Sequence, residues 1–398
     1  MTRRHDLDWV RVCAFGLLVL YHVGMYYVSW DWHVKSPAAG PAIEPLMFLT
    51  SPWRLSLLFL VSGAATAFLL ERARREPGPA GAPPRFLARR SWRLLLPLVF
   101  GMLVVVPPQA YYEVLESGYR GGYHDGYPAF WARYLAADDS FCDVDGCLEL
   151  PTWNHLWFVA YLWVYTVALW MPLRWAPDVM AAAGDRISRL LSGPCVLALP
   201  VLFFALARIG LVGVFESTHA LTDDWYNHVQ YFAMFLLGFA IARSTPVWER
   251  FEAVRWPALA LAVASWAFLA WYFSHYAASG PPSWARLLQR VCWGVNQWSA
   301  IVAVLGFARR LAPGDSPLLR YLSASVFTVY VLHQTLIVLL TQALRPLALP
   351  PLLEGPVLVV ATLALSFAGY ELARRIPGVA LLLGARHRPR RPRPVAIN

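Results

Sequence analysis

Apolar residues fall in long blocks separated by shorter polar segments. A transmembrane helix needs about twenty predominantly apolar residues to cross a hydrocarbon core about 30 Å thick. The blocks predict ten spanning helices, at residues 9–28, 46–70, 94–112, 153–172, 194–214, 226–242, 257–276, 291–308, 321–341 and 354–373. No segment between them is long enough for a second core. The pattern therefore predicts an all-α polytopic membrane domain over residues 1–378, followed by a basic Pro- and Arg-rich cytoplasmic tail over residues 379–398.

The charged residues divide between the two sides of the predicted helices. Arginines concentrate in alternate connections, whereas acidic residues concentrate in the others, above all in the long segment 113–151. Because cytoplasmic connections carry the excess of basic residues, we expect both termini in the cytoplasm and segment 113–151 outside. The apolar run 9–28 is not followed by a small-residue cleavage site, so we interpret it as a retained helix and not as a signal peptide.

Composition agrees with a membrane protein and argues against nucleic acid as a partner. The 398 residues are 58% apolar and 15% charged, whereas soluble domains carry roughly 25% charged residues. The net charge is +10, but the basic residues lie in short connections and do not form a basic face on a soluble module. We therefore expect the lipid bilayer to be the main partner and no nucleic acid to bind.

Ionisable residues in the first predicted helix are candidates for chemistry, because charges at membrane depth are costly. Arg11 and His22 are eleven residues apart, and at 100° per residue they share one helix face. Asp8 lies one turn before Arg11, close enough to pair with it. His22 is a candidate for proton chemistry; the alternative is an interhelical hydrogen bond.

Three further residues fall inside predicted spans. His333 lies at a depth similar to His22 by the helical rise, and Arg54 and Arg208 also fall in the interior. Together these side chains predict a polar cavity. The alternatives are that Arg54 extends to the outer surface and that Arg208 pairs with an acid.

Residues on the second and third predicted helices add a candidate anion site and a close helix contact. Arg90 and Arg93 lie one turn apart, and arginine side chains suit phosphate oxygens. The alternative is that both are interfacial arginines that follow the positive-inside rule. Ser62 and Gly63 allow two helix backbones to approach closely.

Two cysteines lie in the predicted outer segment, where an oxidising compartment favours disulfides. Whether Cys142 and Cys147 form one is open from the sequence alone. The acidic residues between them are too few for a calcium loop, so we expect no metal.

Several short motifs in order resemble those of the acyltransferase 3 family of bacterial membrane proteins. They are Leu7-Asp8-Trp9-Val10-Arg11 with Tyr21-His22, Leu58-Phe59-Leu60-Val61-Ser62-Gly63, Arg90-Ser91-Trp92-Arg93, His155-Leu156-Trp157-Phe158 and Tyr330-Val331-Leu332-His333. Within the family, Trp32-His33-Val34-Lys35-Ser36 and Tyr370-Glu371 resemble the branch of periplasmic glucan succinyltransferases, from which Lys35 departs.

The resemblance implies an enzyme of the bacterial inner membrane that moves an acyl group, acetyl or succinyl, from cytoplasmic acyl-CoA to a hydroxyl of an extracytoplasmic polysaccharide or other glycan. It implies no metal. Arg11, Arg90 and Arg93 would bind the acyl-CoA phosphates, and His22 and His333 would be catalytic. Arg54, Arg208 and His155 would bind substrate, whereas Asp8, Ser62, Gly63 and Glu371 would be structural.

Two other readings of the pattern stay open at this point. A transporter or flippase also carries ionisable groups in its spans, although we find neither repeat halves nor paired broken spans. The other interpretation, a membrane sensor or scaffold, does not explain the charged residues inside the predicted spans. The identity of the acyl group, the acceptor and the oligomeric state are not predicted.

Overall fold

The computed structural model describes residues 4–75, 83–117, 122–142 and 146–385. Within these residues the chain forms sixteen α-helices, with a π-helical turn at Gly101–Val105 between α4 and α5. They are α1 (His5–Tyr27), α2 (Glu44–Met47), α3 (Arg54–Arg75), α4 (Pro83–Phe100), α5 (Pro107–Ser117), α6 (Gly126–Leu135), α7 (Trp157–Trp175), α8 (Pro177–Ser192), α9 (Ala198–Leu211), α10 (Trp225–Ile241), α11 (Thr245–Ala253), α12 (Arg255–His275), α13 (Ser283–Leu311), α14 (Pro317–Leu344), α15 (Pro351–Ala373) and α16 (Pro377–Leu382). Most of the predicted tail, from residue 386 onward, lies outside the described residues.

The helices confirm an all-α polytopic membrane protein. Among the described residues, nine helical stretches are long and apolar enough to cross a membrane. The number is ten if α10 and α11, which are bent by 113° at a short break, form one span. The predicted count of about ten is confirmed, while the orientation read from the arginines stays a prediction.

Several predicted helix boundaries were wrong, among them the start of α13, which lies at Ser283 and not at residue 291. The second span was expected from residue 46, but α3 begins only at Arg54. Pro52 lies just before this start, and proline has no N–H with which to extend a helix from the preceding turn. The third span was expected at 94–112, yet helix runs through Phe86–Ser117, so the first residues of the predicted outer loop belong to α5.

The chain divides into two compact units, and the division falls inside α4 and α14. Unit 1 takes its described residues from Met1–Trp30, Pro37–Arg90 and Trp157–Ser323. Unit 2 takes its described residues from Asp31–Ser36, Ser91–Leu156 and Ala324–Asn398.

Unit 1 is built on three closely packed helix pairs. α3 packs along α10, and α13 packs on α12 and α9. A Cβ at Gly63 would lie 1.9 Å from the carbonyl oxygen of Phe235, and one at Gly238 would lie 1.9 Å from that of Leu60. Only glycine permits such contact, so the Ser62-Gly63 step brings the α3 and α10 backbones together as small residues do between membrane helices.

Unit 2 contains α5, α6, α15, α16 and parts of α4 and α14. An aromatic core forms around α6, where Phe130 and Tyr134 are fully buried beside Phe141. At the end of α15, Glu371 forms an ion pair with Arg374 at 3.2 Å.

The predicted outer segment 113–151 is partly ordered by its own contacts. Cys142 and Cys147 form a disulfide, which answers the question left open by the sequence. Arg133 and Asp138 form an ion pair at 2.6 Å. The Arg133 guanidinium and the hydroxyl and backbone N–H of Ser140 hold the pKa of the Asp138 carboxyl well below its usual range.

Candidate active site

The N-terminal part of α1 holds Arg11 with two oxygen partners. Its guanidinium lies 3.4 Å from the carboxylate of Asp8, one turn earlier. It also donates to the carbonyl oxygen of Ser323 at 3.4 Å. All three residues belong to unit 1, and the pair fixes the direction of the Arg11 side chain.

Further along α1, the neighbour of His22 stacks on a buried arginine. His22 is half-buried, and its ring lies edge-on to that of Tyr21 at 6.2 Å. The guanidinium carbon of Arg54 lies 3.2 Å from the centroid of the Tyr21 ring. Arg54 is 6% exposed, so it does not extend to the surface as one alternative had it.

The charge of Arg54 has little compensation. Its Nε and Nη1 atoms are buried without a hydrogen-bond partner, and none of the ion pairs among the described residues includes it. A buried cation is stabilised mainly by hydrogen-bonded acids, and here a tyrosine face replaces them. Arg54 therefore offers unused N–H donors to an anionic or carbonyl ligand.

A half-buried histidine of unit 1, His219, lies within electrostatic reach of this arginine. His219 stacks on Trp157, with ring centroids 4.3 Å apart, and has a positive φ of 55°. Burial lowers the pKa of His219, the nearby charge of Asp224 opposes that shift, and the charge of Arg54 reinforces it. His219 therefore adds a second polar side chain within electrostatic reach of Arg54.

Arg208 also rests on aromatic rings. Its guanidinium carbon lies 3.8 Å from the centroid of Trp293, and Nη1 donates to the hydroxyl of Tyr226 at 2.9 Å. The ion pairs among the described residues do not include the acidic partner suggested for Arg208. Arg208 makes cation–π contacts instead.

The arginines of α4 differ in exposure. Arg90 is half-buried and donates to Thr66 Oγ1 at 3.4 Å. Thr66 in turn donates to the carbonyl oxygen of Ser62 at 2.8 Å, so Arg90 is tied to the helix that carries Gly63. Arg93, which belongs to unit 2, is exposed.

In unit 2, two buried histidines lie side by side. The rings of His155 and His333 are perpendicular, with centroids 5.1 Å apart, and are 6% and 0% exposed. His155 Nε2 lies 3.1 Å from the carbonyl oxygen of Val331, and His333 Nδ1 lies 2.6 Å from that of Tyr330. Since a carbonyl only accepts, both of these ring nitrogens carry hydrogen.

A glutamine that the sequence reading missed connects His155 to several other polar groups. Gln109 is fully buried, and its amide nitrogen lies 2.7 Å from Thr335 Oγ1 and 3.3 Å from His155 Nδ1. Its carbonyl oxygen accepts from Asn154 at 3.1 Å and from Gln334 at 3.0 Å. Gln109 thus uses both amide hydrogens and both acceptor positions, as a buried amide should.

The network ends at a pair that the sequence reading also missed. The Gln334 amide lies 2.9 Å from His33 Nε2, and His33 Nδ1 lies 2.5 Å from Glu113 Oε2. A signal was available, since Gln109 and Gln334 are amides inside apolar runs, where polar side chains usually bond across helices. The rule that marks charged residues inside predicted spans as candidate functional groups therefore also applies to amides inside those spans.

The long apolar helices and the buried arginines, histidines and amides define a polytopic membrane protein with polar interior sites. A family model described as an acyltransferase domain matches residues 4–371. The chain therefore belongs to the acyltransferase 3 family, as its motifs suggested, and is a membrane acyltransferase.

The curated relatives match nearly the whole chain at low identity. Glucans biosynthesis protein C of Escherichia coli O81 (strain ED1a) is 22% identical over 404 residues, which cover 96% of this chain and 95% of the relative. Glucans biosynthesis protein C of Salmonella schwarzengrund (strain CVM19633) is 21% identical over 392 residues with the same coverage. No solved structure matches the chain.

Proposed function

We propose that this acyltransferase moves an acetyl or succinyl group from acyl-CoA in the cytoplasm to a hydroxyl of a glycan outside the bacterial inner membrane. Family membership supports acyl transfer, and the names of the relatives point to a glucan as the acceptor class. The alternation of arginine-rich and acid-rich connections supports the direction, with both termini in the cytoplasm.

Arginines provide the donor site in this proposal. Arg11, Arg90 and Arg93 match family motif positions and carry guanidinium groups that suit the phosphates of coenzyme A. The ion pair with Asp8 and the bond to Thr66 orient the side chains of Arg11 and Arg90. The acyl thioester then extends toward His22.

The principal observation for the chemical step is the buried guanidinium of Arg54, which has unused hydrogen-bond donors. As the acceptor oxygen attacks the thioester, negative charge develops on the carbonyl oxygen, and preorganised donors stabilise it. The buried guanidinium of Arg54 has unused N–H groups and rests on Tyr21, the residue next to His22. His22 acts as general base on the acceptor hydroxyl or as a transient acyl carrier.

Of the remaining candidates, Arg208 and His155 bind substrate, and His333 takes part in catalysis by orienting the acceptor or the base.

The decisive experiment is coenzyme A release by the purified protein in nanodiscs, with acetyl-CoA or succinyl-CoA as donor and glucose oligosaccharides as acceptor. Turnover should disappear in His22→Ala, and Arg93→Ala should need a higher donor concentration. His275→Ala and Arg174→Ala alter exposed side chains and serve as matched controls with unchanged turnover. A folded wild type that neither binds nor cleaves either thioester would refute the proposal and favour a transporter.

A further inference from the structure

His33 and Glu113 form a hydrogen-bonded pair that the roles proposed above do not use. His33 follows α1 in the segment Asp31–Ser36, and Glu113 lies on α5, so both belong to unit 2. The side chains are 16% and 26% exposed, and Nδ1 of the histidine lies 2.5 Å from Oε2 of the glutamate. The pair is therefore partly open to solvent, although most of its surface is covered.

The surrounding bonds fix which nitrogen of His33 carries hydrogen. The Gln334 amide nitrogen lies 3.0 Å from Gln109 Oε1 and 2.9 Å from His33 Nε2. An amide nitrogen only donates, so Gln334 gives one hydrogen to each partner, and His33 Nε2 must accept. Nδ1 then holds the ring hydrogen and donates it to the Glu113 carboxylate. The imidazole is thereby held with a basic lone pair at Nε2.

The segment that carries His33 is fastened to the same helix as Glu113. The backbone N–H of Lys35 donates to Glu116 Oε2 at 3.0 Å. The other oxygen of Glu116 accepts from Gln342 at 2.8 Å and from Arg345 at 2.7 Å. Glu116 is therefore committed to structure. Glu113, one turn earlier, binds the imidazole of His33.

Resting on the function proposed above, we propose that His33 is the base that removes the proton from the acceptor hydroxyl, and that Glu113 is its positioning residue. A hydroxyl that inserts between Gln334 and His33 donates to the lone pair at Nε2, and its oxygen accepts the amide hydrogen that Gln334 had given to His33. Gln334 keeps its other bond, to Gln109.

The bonds and charges balance in this step. The acceptor O–H bond breaks and its proton moves to His33 Nε2, while the oxygen forms a bond to the acyl carbon. The bond from that carbon to the donor sulfur breaks with its electron pair. The leaving atom takes up a proton, and His33 returns its proton to water. Glu113 stabilises the transient imidazolium, as the carboxylate does in Ser-His-Asp enzymes.

Comparing two acyl acceptors distinguishes a general base from a residue with only a structural role. Glucose oligosaccharides attack through a hydroxyl that must lose its proton, whereas hydroxylamine attacks thioesters through a neutral lone pair. In His33→Gln we expect transfer to the oligosaccharides to fall on the order of 100- to 10,000-fold, the range of general-base catalysis. Hydroxamate formation from the same acyl-CoA, above the uncatalysed rate, should stay within about threefold of wild type because it does not need the base.

Two variants complete the experiment. Glu113→Gln should show the same selective loss at about 100-fold, because the wrong tautomer is then favoured. His275→Gln, an exposed histidine of unit 1, should leave both rates unchanged.

Equal losses with both acceptors in His33→Gln would overturn the base assignment and leave a structural role. Unchanged transfer to the oligosaccharides would overturn it as well. A wild-type protein that is inactive toward both acceptors would instead overturn the proposed function, and with it this inference.

Discussion

Replacing Arg54 by methionine is expected to stabilise the protein while removing its activity. The side chain is 6% exposed, and its Nε and Nη1 hydrogens have no acceptor. Its main compensation is the face of Tyr21, 3.2 Å from the guanidinium carbon. Methionine is flexible and apolar, so it can fill most of the same space without a charge to compensate.

The magnitude follows from those contacts. Each buried hydrogen-bond donor left unmade costs about 1–3 kcal/mol, whereas a desolvated cation–π contact contributes about 2 kcal/mol. With two unused donors, the balance favours methionine by about 2 kcal/mol. A gain of that size corresponds to a rise in Tm of roughly 2–3 °C in a chain of this length, because the unfolding entropy is about 2.1 cal/mol/K per residue. Loss of a donor to the developing oxyanion should reduce kcat by about 100- to 1,000-fold.

The assay pairs thermal unfolding in detergent with coenzyme A release by the same preparations. Arg54→Lys keeps the charge but loses the planar stacking, so it should not become more stable and should still lose turnover. Arg174→Met changes an exposed arginine and should shift unfolding by less than about 0.5 kcal/mol. A clear fall in Tm for Arg54→Met, or full turnover, would show that the guanidinium is a structural group with adequate compensation.

Three other predictions concern packing, orientation and pH. Gly63→Ala should lower stability by about 1–3 kcal/mol because α3 and α10 must separate. Gly16→Ala should be tolerated, since nothing lies within 4 Å of its Cβ. Equal thermal shifts in the two variants would contradict this prediction. In a variant that lacks the other cysteines, Cys142 and Cys147 should react with an impermeant maleimide in intact cells only after an impermeant reductant is added, because their loop is expected outside. Labelling that occurs only in permeabilised cells would indicate the opposite orientation. The lowered pKa of Asp138 means that its stabilising ion pair is present above its ordinary pKa near 4 and is lost as pH falls through the lowered value. Amide exchange in α6 should therefore accelerate on acidification below about pH 4, and Asp138→Asn should remove this pH dependence; an unchanged profile would argue against the pair.

The helices were predictable because their signal is local. A run of about twenty apolar residues has few alternatives to a membrane span, and the count of about ten followed directly. The ends were less accurate because hydropathy does not register the turn at Pro52, nor a helix that continues through Glu113 and Glu116. These two carboxylates were read as part of an outer loop, although both lie within α5.

The partners of the interior arginines were not predictable from the sequence. Arg208 is paired with Trp293, 85 positions further along the chain, and Arg54 with Tyr21. Acids were the natural expectation because opposite charges stabilise buried cations. Aromatic rings are common throughout this chain, which has 15% Phe, Trp and Tyr, so nothing in the sequence singles out these two.

The buried polar side chains of this protein fall into two kinds. Those whose donors and acceptors are all used support the structure, whereas those with unused donors are candidates for chemistry. Gln109 in unit 2 uses every donor and acceptor of its amide, which favours a single rigid arrangement of its neighbours. Arg54 in unit 1 leaves two donors unused, a local conflict of the kind that proteins keep at functional sites. His33 lies between these cases, because its Nε2 bond comes from an amide that retains a second partner. A substrate hydroxyl that inserts between the two side chains can donate to Nε2 and accept from Gln334, so that the general base receives its substrate without leaving a buried donor unpaired.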